Sequence, residues 1–192
     1  MKIVVSEWLK KSKKTNYYSL ATLILIKFSI RKEGLFIFKE VRRKDRELNI
    51  AKAIEVRYNP PSAEEYISLR LKTGMGTKDL SKAEIALKNS LFIVSLWDKG
   101  KLIGFGRIVG DQGITYVVSD IMVDPGYQRK GIGKMIMKEI DFYLEKNTDQ
   151  YAYVCLIANK PADKLYSQFG FEYVDPKSCG MKRKQSKVNK SL

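Results

Sequence analysis

The sequence predicts a mixed α/β (α+β) domain: a central, mostly antiparallel sheet with one parallel strand pair, flanked by helices. Three observations carry this. Extended runs at 91–97, 101–109 and 114–123 follow one another across short Gly-containing turns, the pattern of an antiparallel meander. The last run leads into an amphipathic helical stretch and then a near-continuous apolar run at 151–158, and a strand–helix–strand crossover pairs its strands in parallel. Two capped helical stretches precede the meander.

Taken in order, residues 53–58 form a strand candidate stopped by Asn59-Pro60-Pro61. Ser62, with Glu65 three residues on, makes a capping box for a helix over 63–72, which Gly74 closes. Gly74-Met75-Gly76 gives a loop with freedom to move. Asp79 or Ser81 caps a second helix that runs to Lys88. Asp98-Lys99-Gly100 and Gly110-Asp111-Gln112-Gly113 are the meander turns, and Asp124-Pro125-Gly126 ends its third strand. From 132 to about 146, Ile132, Met135, Ile136, Ile140, Tyr143 and Leu144 share one helix face. A short helix over 159–169 ends at Gly170, and 171–174 and 180–184 read as two closing strands. Ahead of this domain, 2–14 suits a short amphipathic helix. The runs 23–30 and 35–41 suit a hairpin around Arg31-Lys32-Glu33-Gly34. The expected division is a basic extension at 1–52, the α/β domain at 53–184 and a basic tail at 185–192.

Composition narrows the chemistry. A chain of 192 residues, 44% hydrophobic and 30% charged, has the balance of a globular domain with a sizeable core. It contains no histidine, which excludes Ser-His-Asp and Cys-His catalysis and the common transition-metal sites, so no metal is expected. Two cysteines, Cys155 and Cys179, make no secreted disulfide framework. The net charge of +15 is confined to the ends: residues 1–52 hold 14 Lys/Arg against 5 Asp/Glu, residues 177–192 hold 6 against none, and the stretch between holds 16 of each. A neutral domain with basic ends argues against a nucleic-acid-binding surface. The apolar stretch 20–26 after Lys10, Lys11, Lys13 and Lys14 is ended by Lys27, too early for a transmembrane helix. No small-x-small cleavage pattern follows, so a cytoplasmic location and no membrane partner are expected.

The richest motif is Gln128-Arg129-Lys130-Gly131-Ile132-Gly133, placed between a strand and a helix. A strand–glycine loop–helix junction offers free backbone N–H groups and the positive end of a helix dipole, which suits phosphate. A Walker loop is excluded because Ile132 stands where its lysine belongs, and a Rossmann loop because Ile136 stands where its third glycine belongs. What remains, Q-x-x-G-x-G, resembles the acyl-CoA pyrophosphate loop of the GNAT superfamily of N-acetyltransferases. Two further segments strengthen the likeness: Asn159-Lys160-Pro161-Ala162-Asp163-Lys164-Leu165-Tyr166, similar to that family's N-x-x-A-x-x-L-Y helix, and Phe169-Gly170-Phe171, similar to its terminal turn. The resemblance spans roughly 53–184 and leaves out 1–50.

The resemblance implies a GNAT-like acyl-CoA N-acyltransferase fold with a splayed parallel pair. It implies an enzyme that moves the acetyl group of acetyl-CoA to a primary amine, of a small molecule or a protein, by direct attack in a ternary complex. Gln128, Arg129, Lys130, Gly131, Ile132, Gly133 and Lys134 would hold the pyrophosphate. Backbone of Ile121, Met122 and Val123 would hold the pantetheine arm and polarise the thioester, and Asn159 would bridge the splayed strands, bond that arm or cap a helix. Tyr166 would be the general acid toward the leaving sulfur. Asp120 would serve as the base, or else orient backbone or substrate, since Ser119 stands where many relatives carry an acid; Asp111 and Glu172 are lesser candidates for the base. A homodimer is compatible with this reading. The competing readings are a non-catalytic acyl-CoA-binding module and a protein whose basic ends contact nucleic acid.

Overall fold

The structure is a computed structural model, and residues 53–181 are described. All of them belong to one compact unit, which begins at Ala51. The expectations for 1–52 and for the tail from 182 onward lie outside the described residues.

Five strands form one sheet in the order β1-β2-β3-β4-β5, with β1 Glu55–Arg57, β2 Phe92–Asp98, β3 Lys101–Gly110, β4 Thr115–Val123 and β5 Tyr153–Cys155. The first four pair antiparallel; β4 and β5 pair parallel, as the crossover predicts. The helices are α1 Ala63–Lys72, α2 Leu80–Lys88, α3 Ile132–Asn147 and α4 Asp163–Tyr166, with 3-10 turns at Pro125–Tyr127 and Ser167–Phe169. The predicted capping box is present: the Glu65 N–H donates to Ser62 Oγ at 3.2 Å, and the Ser62 N–H donates to Glu65 Oε2 at 3.0 Å. Asp79, not Ser81, caps α2, accepting from the Lys82 N–H at 3.1 Å. Asp111, considered as a base, instead holds the β3–β4 turn: its Oδ1 accepts from the N–H groups of Gly113, Ile114 and Thr115, each at 2.9 Å.

The sheet is covered on both faces. Tyr66 and Leu69 of α1 and Ala83 and Leu87 of α2 pack with Ile93, Trp97, Leu102, Phe105 and Met122 on one face. On the other, Ile132, Ile136 and Ile140 of α3 lie directly over Gly104 and Gly106 of β3. A Cβ at Gly106 would stand 2.6 Å from Ile136 Cγ2 and 2.8 Å from Ile121 Cδ1, so the helix approaches the strand as closely as a bare backbone allows. Among the described residues no helix is long and apolar enough to cross a membrane.

Four sequence expectations are corrected. The run 151–158 pairs only over Tyr153–Cys155, because its partner β4 kinks beyond Val118. The run 171–174 is not a strand: Glu172, Tyr173 and Val174 are exposed, and without a buried face to cover, its apolar residues have nothing to pair against. Gly180 and Met181, the start of the second expected strand, are irregular as well. The helix expected over 159–169 is reduced to α4 and the 3-10 turn after it.

Candidate active site

The kink in β4 is a β-bulge. Arg107 pairs with Ser119 and Phe105 with Met122, so the single residue Gly106 faces both Asp120 and Ile121. Asp120 takes up the irregularity with a φ of 54°, left-handed backbone that an aspartate tolerates better than most side chains. Ordinary strand alternation beside the bulge sends Ile121 under α3 and Asp120 toward α1 and α2. Pairing with β5 stops before the bulge and covers only Thr115, Tyr116 and Val117. Among the described residues, no strand pairs with the second half of β4 on that edge. Ile121, Met122 and Val123 therefore have no strand partner on that edge among the described residues.

At the end of β4 the glycine loop is held from several sides. Asp124 accepts from the Gly126 N–H at 3.0 Å and pairs with Lys101 at 2.9 Å. Burial alone would raise its pKa; the Lys101 ammonium and the Gly126 N–H outweigh that and hold it below the ordinary aspartate range. Tyr127 donates to Asp98 Oδ2 at 2.6 Å, and the Gln128 amide donates to the Val123 carbonyl at 3.2 Å. The backbone is left-handed at Arg129 (φ 57°) and Gly131 (φ 85°), and left-handed residues in a turn shape anion-binding concavities. Gly131 is the N-cap of α3 and offers no side-chain acceptor, so the first-turn N–H groups of Ile132, Gly133 and Lys134 keep their capacity for an external anion. Arg129, Lys130 and Lys134 are exposed around them, with Lys130 also donating to the Gly126 carbonyl at 2.6 Å.

The short helix α4 meets this junction. A Cβ at Gly133 would stand 3.2 Å from Leu165 Cδ2 and 3.9 Å from Val123 Cγ2, which places the end of β4, the start of α3 and α4 against one another. Tyr166, 8% exposed, has its ring edge toward Phe171 at a centroid distance of 6.4 Å. Burial pushes its phenol above the usual value, and its hydroxyl has no hydrogen-bond partner among the described residues. Asn159 lies beyond the end of β5, exposed. Its carbonyl accepts from the Ala162 N–H at 2.7 Å, and its side chain does not cap α4, whose N-cap is Ala162.

Asp120 sits in a network that sequence reasoning did not anticipate. Its carboxylate accepts from the Tyr66 hydroxyl at 2.7 Å, from Arg70 Nη1 at 2.5 Å and from Arg107 Nε at 2.7 Å. Burial works to raise its pKa. The hydrogen bonds from Tyr66 and Arg107 and the charges of both arginines outweigh it, holding the carboxyl below the ordinary range. Arg70 in turn donates to the carbonyls of Gly76 (3.2 Å) and Met75 (2.8 Å), so the loop expected to move freely is tied to α1. The signal was present: Arg70 follows Tyr66 and Leu69 on the inward stripe of α1, and Arg107 follows Phe105 on the inward face of β3. Cations at core positions call for a carboxylate nearby.

Comparison with known proteins agrees with this geometry. A family model described as an acetyltransferase (GNAT) domain matches residues 88–173. A solved structure from meticillin-resistant Staphylococcus aureus, a protein of unknown function described as a probable acetyltransferase, is 43% identical. Its match covers 69% of this chain and 99% of that one, with a TM-score of 0.66. A GNAT family acetyltransferase from Streptococcus pneumoniae TIGR4 is 28% identical, with a TM-score of 0.57 over 70% of this chain and 98% of that one. Among curated proteins, the histone acetyltransferase TAP1 of Glycine max is 33% identical over 117 residues, 55% of this chain and 49% of that protein. The chain spans about half the length of the curated relatives it matches. This chain belongs to the GNAT acetyltransferase family.

Proposed function

We propose that the protein is an acetyl-CoA-dependent N-acetyltransferase that acetylates a primary amine by direct attack in a ternary complex. The observation that carries this is the junction itself: a helix N-terminus with no side-chain cap and, among the described residues, an unpaired strand edge and a phenol without a hydrogen-bond partner on the helix packed beside them. When bound, acetyl-CoA supplies an activated acyl group as its thioester. The N–H groups of Ile132, Gly133 and Lys134, with Arg129 and Lys130, hold the pyrophosphate. Backbone of Ile121, Met122 and Val123 holds the pantetheine arm and polarises the carbonyl, and Asn159 reaches the same arm. The amine nitrogen bonds to the carbonyl carbon, the carbon–sulfur bond breaks, and Tyr166 gives its proton to the departing sulfur. Asp120, satisfied by three donors and held acidic, is a weak proton acceptor at neutral pH, so its part is to position the cleft, and the amine proton leaves to water. The cytoplasm, where acetyl-CoA is available, is the compartment this reading implies.

The test is release of CoA thiol from acetyl-CoA across an amine panel, paired with calorimetry of acetyl-CoA binding. Turnover with at least one amine is expected, and Gly131→Glu should abolish binding by placing a strained, anionic side chain in the loop. Normal binding by that variant would overturn the loop assignment. Binding without turnover would favour a non-catalytic acyl-CoA sensor.

A further inference from the structure

On the α1–α2 side of the bulge lies a cavity of about 240 Å³, lined among others by Tyr66, Arg70, Lys78, Lys82, Arg107 and Asp120. Four of these are cations and one is a carboxylate, in a stretch of chain whose charges sum to zero. Arg70 is buried, and Arg107 keeps only 15% of its side chain exposed. Asp120 is shared between the two guanidiniums, one oxygen to each. Arg107 also gives Nη1 to the Ala86 carbonyl and Ser90 Oγ, both at 3.3 Å, and its Nη2 has no partner among the described residues. Lys78 and Lys82 are exposed at the rim. The neighbouring Asp79 is not part of the lining; it caps α2 and accepts from Ser81 Oγ at 2.7 Å. Sequestered guanidiniums are ordinarily matched by anions. Here one carboxylate serves two of them, while two lysines face the same space.

We infer that this cavity takes the oxyanion of the acceptor, and that the substrate is a small amine that also carries a carboxylate or phosphate. The inference rests on the acetyltransferase reading above and specifies its acceptor. Ser119 and Asp120, in the cavity wall, immediately precede Ile121, Met122 and Val123, whose edge has no strand partner among the described residues. A small acceptor anchored by its oxyanion can therefore place its nitrogen at the strand end. Guanidinium forks suit carboxylate and phosphate alike, and the lysines add charge without adding geometry. The same surplus of positive charge disfavours an ammonium, so it excludes polycations and lowers the pKa of the bound amine. That supplies the neutral nucleophile in a site whose one lining carboxylate among the described residues is held acidic by three donors.

The experiment uses the full chain and matched acceptors: 4-aminobutyrate with butylamine, O-phosphoethanolamine with ethanolamine, and spermidine as the polycation. CoA release gives kcat/KM, and calorimetry without acetyl-CoA gives binding. The expected result is at least a tenfold higher kcat/KM for the oxyanion-bearing member of one or both pairs; which pair shows it separates carboxylate from phosphate. A Lys78→Ala/Lys82→Ala double variant, altered only at exposed positions, should lose most of that preference and leave the KM for acetyl-CoA unchanged. Preference for spermidine or a neutral partner, or a preference the double variant retains, overturns the inference while the acetyltransferase reading stands. If no amine is turned over, that reading falls and calorimetry decides the cavity. Tighter binding of the oxyanion-bearing amines, lost in the double variant, still supports an oxyanion site, and equal or weaker binding overturns it.

Discussion

Tyr166 and Asp120 are both buried polar side chains near the end of β4, and their surroundings give them opposite chemistry. Tyr166 has a hydroxyl without a hydrogen-bond partner among the described residues and a pKa raised by burial, so it stays protonated and able to donate through neutral and moderately alkaline pH. Tyr166→Phe is expected to lower kcat by about tenfold or more while acetyl-CoA affinity by calorimetry hardly changes. Unchanged kcat would remove Tyr166 from the chemistry. Asp120 has no unengaged oxygen and a pKa held low. Asp120→Asn would leave Arg70 and Arg107 facing each other with no anion between them. Breaking a buried pair in this way costs about 3–5 kcal/mol. A marked fall in the urea midpoint is therefore expected alongside any loss of activity. A variant of full stability that fails only in turnover would restore Asp120 as a base.

At the scale of elements, the site exists because α3 lies on bare backbone. Gly106→Ala would drive a methyl to within 2.6 Å of Ile136 Cγ2 and 2.8 Å of Ile121 Cδ1, pushing α3 away from the strand that bears the bulge. Overpacking of this kind costs about 1–3 kcal/mol. Urea unfolding should show the loss, and a neutral result would mean that α3 does not sit this close. How much of this was legible follows from range. The capping box at Ser62–Glu65, the apolar stripe of α3 and the turns of the meander are written in residues three or four apart, and they appear where the sequence puts them. The bulge at Asp120 is not legible, because Ser119-Asp120-Ile121-Met122-Val123 reads as unbroken strand. Only the register against Gly106 and Arg107 shows the extra residue. The short β5 follows from that same kink. The Arg70–Asp120–Arg107 network pairs positions 50 and 13 residues apart through the sheet, beyond any local pattern.

For the whole molecule, the buried network fixes how stability depends on pH. Asp120 and Asp124 bind protons less readily in the folded chain than at their ordinary value of 3.8, so the unfolded chain takes up protons first as pH falls. Their contribution is complete above that ordinary value and is lost as pH drops through it toward the lower folded values. Tyr66 works in the other direction. Burial, then its hydrogen bond to Asp120, raises its pKa above 10.0, and burial raises that of Tyr166, so stability is lost as pH climbs through those raised values. The expected profile is a plateau from about pH 5 to pH 10 with a fall on either side. Urea midpoints measured between pH 2.5 and 10.5 check it, and a midpoint that rises as pH falls from 5 to 3 would contradict the assignment. The acid limb has a second signature. Asp120→Asn removes a carboxyl that binds protons less readily in the folded chain than in the unfolded one. The variant should therefore be less stable at pH 6 yet lose less on going to pH 3, so that the two curves converge. Parallel curves would place the acid sensitivity elsewhere, with Asp124 and the loop before α3 the next residues to vary.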